Sequence, residues 1–291
     1  NEIFPDLHSP RQMRRLLQGD VGSGKTVVAV FAVYAAITAG YQAALMVPTE
    51  ILAQQHFAKV DELLRPLGVR VALLTGDTKD LEKKEIYREL ADGTINVVIG
   101  THALIQKDVH FKNLGLIIID EQHRFGVNQR NTLITKGDTP DVLAMTATPI
   151  PRTLALTVYG DMTVSEIRHL PKGRKPVVSS WATSSKFKEV LDLMRSQLDK
   201  GFQIYVVTPL ISESEKSDLK NAEDLQARLA QYFKDENVVL LHGQMKGDQK
   251  NKIMDSFAAG KIDVLVTTSV IEVGVDVPNA NMMVIFNADR F

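Results

Sequence analysis

The stretch GDVGSGKT, residues 19–26, decides which fold this sequence can form. It fits the pattern G-x-x-x-x-G-K-[ST] in full. Glycines let successive N–H groups turn inward to make an anion-binding nest, and a helix that begins near Lys25 adds its positive dipole end. Lys25 is expected to reach the β and γ phosphates of a nucleotide, and the Thr26 hydroxyl to ligate Mg²⁺. The predicted nucleotide-binding residues are Gly19, Asp20, Val21, Gly22, Ser23, Gly24, Lys25 and Thr26.

A pair of acids supplies the second half of such a site. The run LGLIIIDEQH, residues 114–123, leads an apolar strand directly into Asp120 and Glu121. Asp120 at the strand tip is expected to hold Mg²⁺ through water, and Glu121 to polarise the attacking water. Because consecutive strand residues point to opposite faces, both acids can serve only if the strand ends there. Direct ligation of a metal by Asp120, Glu121 and His123 remains an alternative, although Mg²⁺ prefers few protein ligands.

Composition sets the outer limits. The 291 residues are enough for two domains, and 44% hydrophobic with 24% charged residues is typical of a globular protein in water. The net charge of -1 gives no overall basic field, although a local basic groove is compatible with it. The chain has no cysteine, which excludes disulfides and thiolate metal sites and fits the cytoplasm. No apolar run reaches the roughly 18 to 20 residues that span a bilayer.

Short apolar runs alternate with helical patterns along the chain. Strands are predicted at 43–48, 69–74, 96–100, 116–120, 141–146, 177–182, 203–209, 237–243, 263–268 and 281–286. Helices are predicted at 26–40, 49–64, 80–93 and 246–260. Nearly continuous apolar runs are typical of parallel strands buried on both faces. Residues 160–176 show no clear period, so we predict α/β domains at 1–160 and 177–291, joined by a linker at 161–176.

Nine motifs in a fixed order give the sequence a family resemblance. They read GDVGSGKT, VPTEILAQQH, TGDT, GTHALIQ, IIDEQHRFGVNQR, MTATPIPRTLALT, VTPLI, LLHGQMK and VTTSVIEVGVDVPNA. Together they resemble the superfamily 2 helicases, and most closely the RecG-type branched-DNA translocases. The resemblance implies two tandem RecA-like P-loop domains with mainly parallel sheets, the second incomplete at its C-terminus, and ATP and Mg²⁺ as cofactors. It also implies ATP-dependent translocation on double-stranded or branched DNA, in repair and recombination in the bacterial cytoplasm, with replication or repair proteins as further partners.

The resemblance also implies roles for residues outside the nucleotide loop. Gln122 and His123 link the nucleotide site to the rest of the motor, Thr146 and Thr148 couple hydrolysis to domain movement, and Gly274 and Asp276 face the nucleotide across the cleft. The residues matched to segments that face the DNA backbone are Pro48, Thr49, Glu50, Thr75, Gly76, Thr101, His102, His242, Gly243, Thr267 and Thr268. Amides and hydroxyls of this kind bind phosphates without reading bases. Thr49 can equally be a plain helix cap, and the two histidines structural residues.

Other interpretations stay open. Transcription-repair coupling translocases are near neighbours, although they tend to have a second glutamate where this chain has Gln122. A nucleotide-dependent DNA-binding switch would use the same fold without translocating, and RNA is a lesser candidate because no residue here visibly reads a 2′-hydroxyl. In the family, an arginine motif follows the position of Phe291. We therefore expect this chain alone to hydrolyse ATP weakly, because losing an arginine finger costs on the order of 10³–10⁵ in rate.

Overall fold

The computed structural model describes residues 2–147, 162–168, 177–209, 215–268 and 277–290. The chain divides into two compact units, Asn1–Lys175 and Pro176–Phe291. Each is an α/β unit built on a parallel sheet, which confirms the predicted fold class. The domain bounds expected from the sequence, with a linker at 161–176, stay a prediction. In the part of the chain that is described, each helix is too short or too polar to traverse a lipid bilayer.

The first unit contains seven described strands and five described helices. The strands are β1 Arg14–Gly19, β2 Gln42–Met46, β3 Val71–Leu74, β4 Val97–Gly100, β5 Leu114–Ile119, β6 Asp141–Thr146 and β7 Thr163–Ile167. The helices are α1 Ile3–Leu7, α2 Lys25–Thr38, α3 Glu50–Leu64, α4 Asp80–Asp92 and α5 Val127–Ile134. Short 3-10 turns lie at Arg65–Leu67, His102–Ile105 and Gln122–Arg124. The helices predicted at 26–40, 49–64 and 80–93 are confirmed as α2, α3 and α4.

The strand order brings distant motifs to one edge of the first sheet. All seven strands are parallel, in the order β3-β4-β2-β5-β6-β1-β7. Parallel strands present their carboxyl ends at the same edge, where ligands bind in α/β sheets. The GDVGSGKT loop follows β1, Thr146 closes β6, and Asp120 follows β5. Because β6 lies between β1 and β5, these three features are neighbours.

Apolar layers cover both faces of this sheet. In β5, Leu116 and Ile118 belong to the cluster that includes residues of α2 and α3. Ile117 and Ile119 belong to a second cluster with residues of α4 and α5. Since side chains alternate along a strand, a strand covered on both faces must be apolar throughout. This explains the unbroken apolar run that precedes Asp120.

β1 has a weak apolar pattern because a charged side chain takes a buried position in it. Arg15 is only 6% exposed. Its guanidinium donates to Asp6 at 2.8 Å and to Glu2 at 3.1 Å, and it also donates to the Ser165 hydroxyl. These partners replace the water that a buried guanidinium loses. The cluster ties α1 and β7 to β1.

Near the unit boundary, one strand was not predicted and one predicted strand is wrong. Residues 160–176 show no clear period in the sequence, but within them β7 pairs with β1 in parallel. β7 lies at the sheet edge and its one fully buried residue is Ser165, so it shows no apolar period. Residues 177–182, predicted as a strand, form neither helix nor strand. Val178 and Trp181 in this segment are 93% and 88% exposed. The β-branched and aromatic residues favour a strand, but a strand also needs a neighbouring backbone to pair with.

The second unit has a four-stranded parallel sheet in the order β11-β8-β10-β9. Its described strands are β8 Gln203–Thr208, β9 Val238–Leu241, β10 Val264–Thr268 and β11 Ala280–Ile285, as predicted from the sequence. Its described helices are α6 Phe187–Leu198, α7 Glu215–Tyr232 and α8 Gly247–Ala258, with 3-10 turns at Ser184–Lys186 and Ala288–Arg290. The core packs Met194 of α6 and Leu229 of α7 against Ile204 and Val266 of the sheet.

Each of the two units has a glutamine at the start of a central strand. Gln42 opens β2, and its Nε2 donates to the carbonyls of Leu90 at 3.0 Å and Ile95 at 2.8 Å. Gln203 opens β8 and donates in the same way to carbonyls at the end of α8 and at Ile262, both at 2.6 Å. In each unit the amide joins a helix end to the approach of the neighbouring strand. The repeated bond fixes where that helix returns to the sheet.

Candidate nucleotide-binding site

The GDVGSGKT loop joins β1 to α2 and directs backbone amides into a concavity. Gly24 is the N-cap of α2 with φ 94° and ψ 16°, and Gly22 has φ 75°. These left-handed angles favour glycine. No side chain caps α2, so the N–H groups of its first turn are available to an anion. In the described part of the chain, the buried Ser23 hydroxyl has no hydrogen-bond partner. The loop therefore fits a phosphate group.

Lys25 is held inside this loop. Its Nζ donates to the carbonyl of Gly19 at 2.7 Å and to that of Asp20 at 2.9 Å. Burial lowers the pKa of Lys25, while the carboxylates of Asp120, Glu121 and Asp20 act in the opposite direction. Neutral carbonyls are weaker partners for an ammonium group than charged phosphate oxygens are. A nucleotide phosphate can therefore replace them.

The acid pair follows β5 as the sequence required. The strand ends at Ile119, and Asp120 Oδ1 accepts the backbone N–H of Glu121 at 3.0 Å. Glu121 itself has φ 49° and ψ 52°, a left-handed conformation that is strained for glutamate and typical of functional sites. Burial raises the pKa of Glu121, and the neighbouring Asp120 carboxylate raises it further. His123 Nδ1 lies 3.5 Å from Glu121 Oε2. Glu121 is thus a suitable proton acceptor for a bound water.

A histidine that the sequence analysis missed contacts the predicted metal-binding acid. His56 lies on α3 and is 8% exposed, and its Nε2 is 2.9 Å from Asp120 Oδ2. The available signal was its position between Leu52 and Val60, on the apolar face of the helix. A polar side chain buried on such a face needs a hydrogen-bond partner. The sequence could not say that the partner is 64 positions away.

The donor set fits Mg²⁺ bound to a nucleotide. The Thr26 hydroxyl and the Asp120 carboxylate are hard oxygen donors, and phosphate and water oxygens complete such sites. Among residues 2–147 and the other described ranges, no group of three or more acid and histidine side chains could hold a metal. This contradicts the alternative of direct ligation by Asp120, Glu121 and His123. One oxygen of Asp120 is instead engaged by His56.

The residues expected to couple the site to the rest of the motor are only partly described. Gln122 is buried, its Nε2 lies 3.8 Å from Met162 Sδ, and its Oε1 has no partner among the described residues. Thr146 is buried at the end of β6. The remaining coupling and cleft-facing residues, Thr148, Gly274 and Asp276, lie outside the described residues. All these roles stay predictions.

The structure joins two of the predicted DNA-facing segments of the first unit. Thr49 caps α3, since its hydroxyl accepts the N–H of Leu52 at 3.3 Å, and half-buried Pro48 precedes it. Glu50 Oε1 accepts the N–H of Asp77 at 3.2 Å. Burial raises the pKa of Glu50, and the adjacent Asp77 side chain raises it further. These contacts hold residues 48–50 beside residues 75–77.

The other predicted DNA-facing residues differ in exposure. Gly76, His102 and Gly243 are exposed, and His242 is half-buried. The threonines are buried at the carboxyl ends of their strands, namely Thr75, Thr101, Thr267 and Thr268. In this conformation their hydroxyls do not reach the surface, so any phosphate contact would use nearby backbone amides or follow a movement. Their contact with DNA stays a prediction.

Each unit also holds a lysine against one of these loops, which the sequence analysis did not single out. Lys83 Nζ donates to the carbonyl of Gly76 at 3.0 Å, and Lys250 Nζ donates to that of Gly243 at 2.7 Å. In both units the lysine follows the glycine by 7 positions. That repeated spacing was the available signal. It places a cation beside each predicted DNA-facing loop.

Comparison with known proteins gives consistent matches. Residues 1–157 match the DEAD/DEAH box helicase family, and residues 185–290 match the helicase conserved C-terminal domain. The chain is 57% identical over 291 residues to the ATP-dependent DNA helicase RecG of Streptococcus pneumoniae, covering 100% of the chain and 43% of that protein. It is 56% identical over 294 residues to RecG of Staphylococcus aureus, covering 100% of the chain and 42% of that protein. A solved structure of RecG bound to a three-way DNA junction matches with a TM-score of 0.80 and 47% identity, over 100% of this chain and 38% of that one. The chain spans less than half the length of these relatives.

Proposed function

The chain belongs to the DEAD/DEAH box helicase family, and we propose that it is the motor part of an ATP-dependent helicase that acts on branched DNA. The observation that carries the proposal is the convergence of the GDVGSGKT loop and the Asp120–Glu121 pair at one edge of the first sheet. The similarity to RecG supports branched DNA as the substrate, because a RecG structure holds a three-way junction. Such a motor serves DNA repair and recombination in the bacterial cytoplasm.

In the proposed reaction, the residues of the loop exchange partners when ATP binds. Lys25 leaves the carbonyls of Gly19 and Asp20 and donates to the β and γ phosphates, while the amides of the loop and of α2 bind phosphate oxygens. Thr26 and Asp120 would hold Mg²⁺, whose charge would offset the negative charge of the phosphates. Glu121 orients the attacking water and accepts its proton.

Coupling to movement belongs to the same proposal. By the family resemblance, Gln122 and His123 would connect the acid pair to the rest of the motor, and Thr146 and Thr148 would respond to hydrolysis. Gly274 and Asp276, which the same resemblance assigns to the nucleotide, lie outside the described residues. Alternate closure and opening of the two units would then advance the motor along DNA. The loops that begin with Gly76 and Gly243 hold the backbone through amides and nearby lysines, so binding is independent of sequence and sensitive to salt.

ATP-dependent displacement of a labelled strand from a three-way junction tests this proposal, with the chain carried in a protein as long as its RecG relatives, because the chain alone is expected to hydrolyse ATP only weakly. We expect Lys25→Ala to abolish displacement and hydrolysis, because the phosphates lose their charged partner. Glu121→Gln should abolish both while it still binds ATP. Lys59→Ala, at an exposed lysine of α3, is the matched control and should behave as the unaltered protein. ATP turnover without displacement would favour a DNA-binding switch, and loss of ATP binding in Glu121→Gln would contradict the role given to that residue.

A further inference from the structure

Both oxygens of the Asp120 carboxylate are fixed by N–H donors. Oδ2 accepts from His56 Nε2 at 2.9 Å, and Oδ1 accepts from the Glu121 amide at 3.0 Å. An ionised carboxylate can only accept hydrogen bonds, so Nε2 of His56 carries the proton in this contact. One donor on each oxygen restricts the orientation of the carboxylate. Its remaining lone pairs stay available to a cation or its bound water.

The surroundings of His56 show that this bond is the reason for a polar residue there. The buried face of α3 otherwise consists of apolar residues, which are Leu52, Ala53, Val60 and Leu64. His56 also borders a cavity of about 10 Å³ lined mostly by valine, isoleucine and leucine. Burying an imidazole among such side chains costs free energy unless it is hydrogen-bonded. Thr26, the other proposed Mg²⁺-binding residue, lines the same cavity.

α3 carries predicted DNA-facing residues at its start. Thr49 caps the helix, and Glu50, its first residue, accepts the amide of Asp77 in the neighbouring loop. From Thr49 to His56 the helix rises by about 10 Å, at roughly 1.5 Å per residue. Two turns of hydrogen-bonded helix behave as a rigid body over this length. A shift of the DNA-facing end therefore changes the position of His56 relative to Asp120.

We propose that His56 is the positioning residue of the Asp120 carboxylate, and that through it α3 links the DNA-facing segment to the Mg²⁺–nucleotide site. The inference rests on the proposed function and adds a regulatory contact to the same site. His56 touches neither the nucleotide nor the reacting water in this account. It acts by holding the acid that does.

Equilibrium binding of a fluorescent ADP analogue, titrated with Mg²⁺ and repeated in EDTA, tests the positioning role without measuring activity. His56→Gln keeps an N–H donor at nearly the reach of Nε2, whereas His56→Asn is polar but one methylene shorter. We expect His56→Asn to weaken Mg²⁺-dependent binding about 10- to 100-fold, the usual effect of losing a partner of a metal-binding group. Binding in EDTA should be unchanged, and His56→Gln should resemble the unaltered protein. Equal Mg²⁺-dependent binding by His56→Asn and the unaltered protein would overturn the proposal.

Val60→Ala is the matched control for packing. Val60 lies on the same buried face of α3 and lines the same cavity, without the contact to Asp120. We expect it to lower the free energy of unfolding while it leaves the Mg²⁺ dependence of binding intact. A loss of Mg²⁺ dependence in Val60→Ala equal to that in His56→Asn would show a packing effect and overturn the positioning role. Failure of the unaltered protein to bind the nucleotide at all would instead remove the proposed function, so the two failures are distinct.

The link to DNA has its own measurement. Linkage requires that a three-way junction change nucleotide affinity by the same factor as nucleotide changes junction affinity. We expect this factor to fall toward one in His56→Asn, while junction affinity without nucleotide is unchanged. An unaltered factor in His56→Asn would overturn the link through α3.

Discussion

Glu121 shows at the scale of a single residue how the site is built at the expense of stability. Its left-handed backbone, with φ 49° and ψ 52°, is one that side chains with a Cβ adopt reluctantly. The turn is needed because β5 stops at Ile119 and both acids must lie at the same sheet edge. Burial adds a second cost, since it raises the pKa of this carboxyl. Strain of this kind persists where the surrounding structure and function require it.

Replacing Glu121 by glycine should therefore stabilise the protein while it removes hydrolysis. We expect Glu121→Gly to have a free energy of unfolding about 1 kcal/mol higher than Glu121→Gln, because only the glycine variant relieves the backbone. The glutamine variant controls for the lost charge. Denaturant unfolding without nucleotide measures the difference, and a glycine variant less stable than the glutamine variant would contradict the strain.

At the scale of elements, the buried glutamines that open β2 and β8 hold helix ends to the sheets. Gln42→Leu removes the N–H donor to the carbonyls of Leu90 and Ile95. It also removes the oxygen that accepts the backbone N–H of Asn113, and leucine has no polar atom to replace either. We expect a loss of about 2 kcal/mol in the free energy of unfolding, the usual effect of leaving buried polar groups unsatisfied. Gln203→Leu should have a similar effect on the second unit.

Hydrogen exchange separates these two effects. The hydrogen bonds of each glutamine to described residues lie within its own unit, so Gln42→Leu should speed exchange in the first sheet and Gln203→Leu in the second. Gln54→Leu, at an exposed position of α3, is the control and should change neither. Equal acceleration of both sheets by Gln42→Leu would contradict the local role.

The elements also show what could be predicted from the sequence. The nucleotide loop and the Asp120–Glu121 pair were predicted because their chemistry lies within a few consecutive residues. β7 was missed because its buried position is taken by Ser165, which accepts a hydrogen bond from Arg15, so this edge strand shows no apolar period. The contact of His56 with Asp120 could not be predicted, since it joins residues 64 positions apart through the order of the strands.

At the scale of the whole molecule, each unit presents a lysine beside a predicted DNA-facing loop, although the net charge is only -1. We expect Lys83→Ala and Lys250→Ala each to weaken DNA binding and to reduce the slope of log affinity against log salt by about 1. Binding titrations at several salt concentrations measure this. Lys59→Ala should leave the slope unchanged, and an equal change in that variant would contradict a specific role for the two lysines.

We expect the loop and the acid pair to hydrolyse ATP in response to DNA. Phosphate release with and without a three-way junction, for the unaltered protein and for Glu121→Gln, measures this response. The junction should raise the rate of the unaltered protein, and Glu121→Gln should fall to background with ATP still bound. A rate that is indifferent to DNA, or that is unchanged in Glu121→Gln, would contradict it.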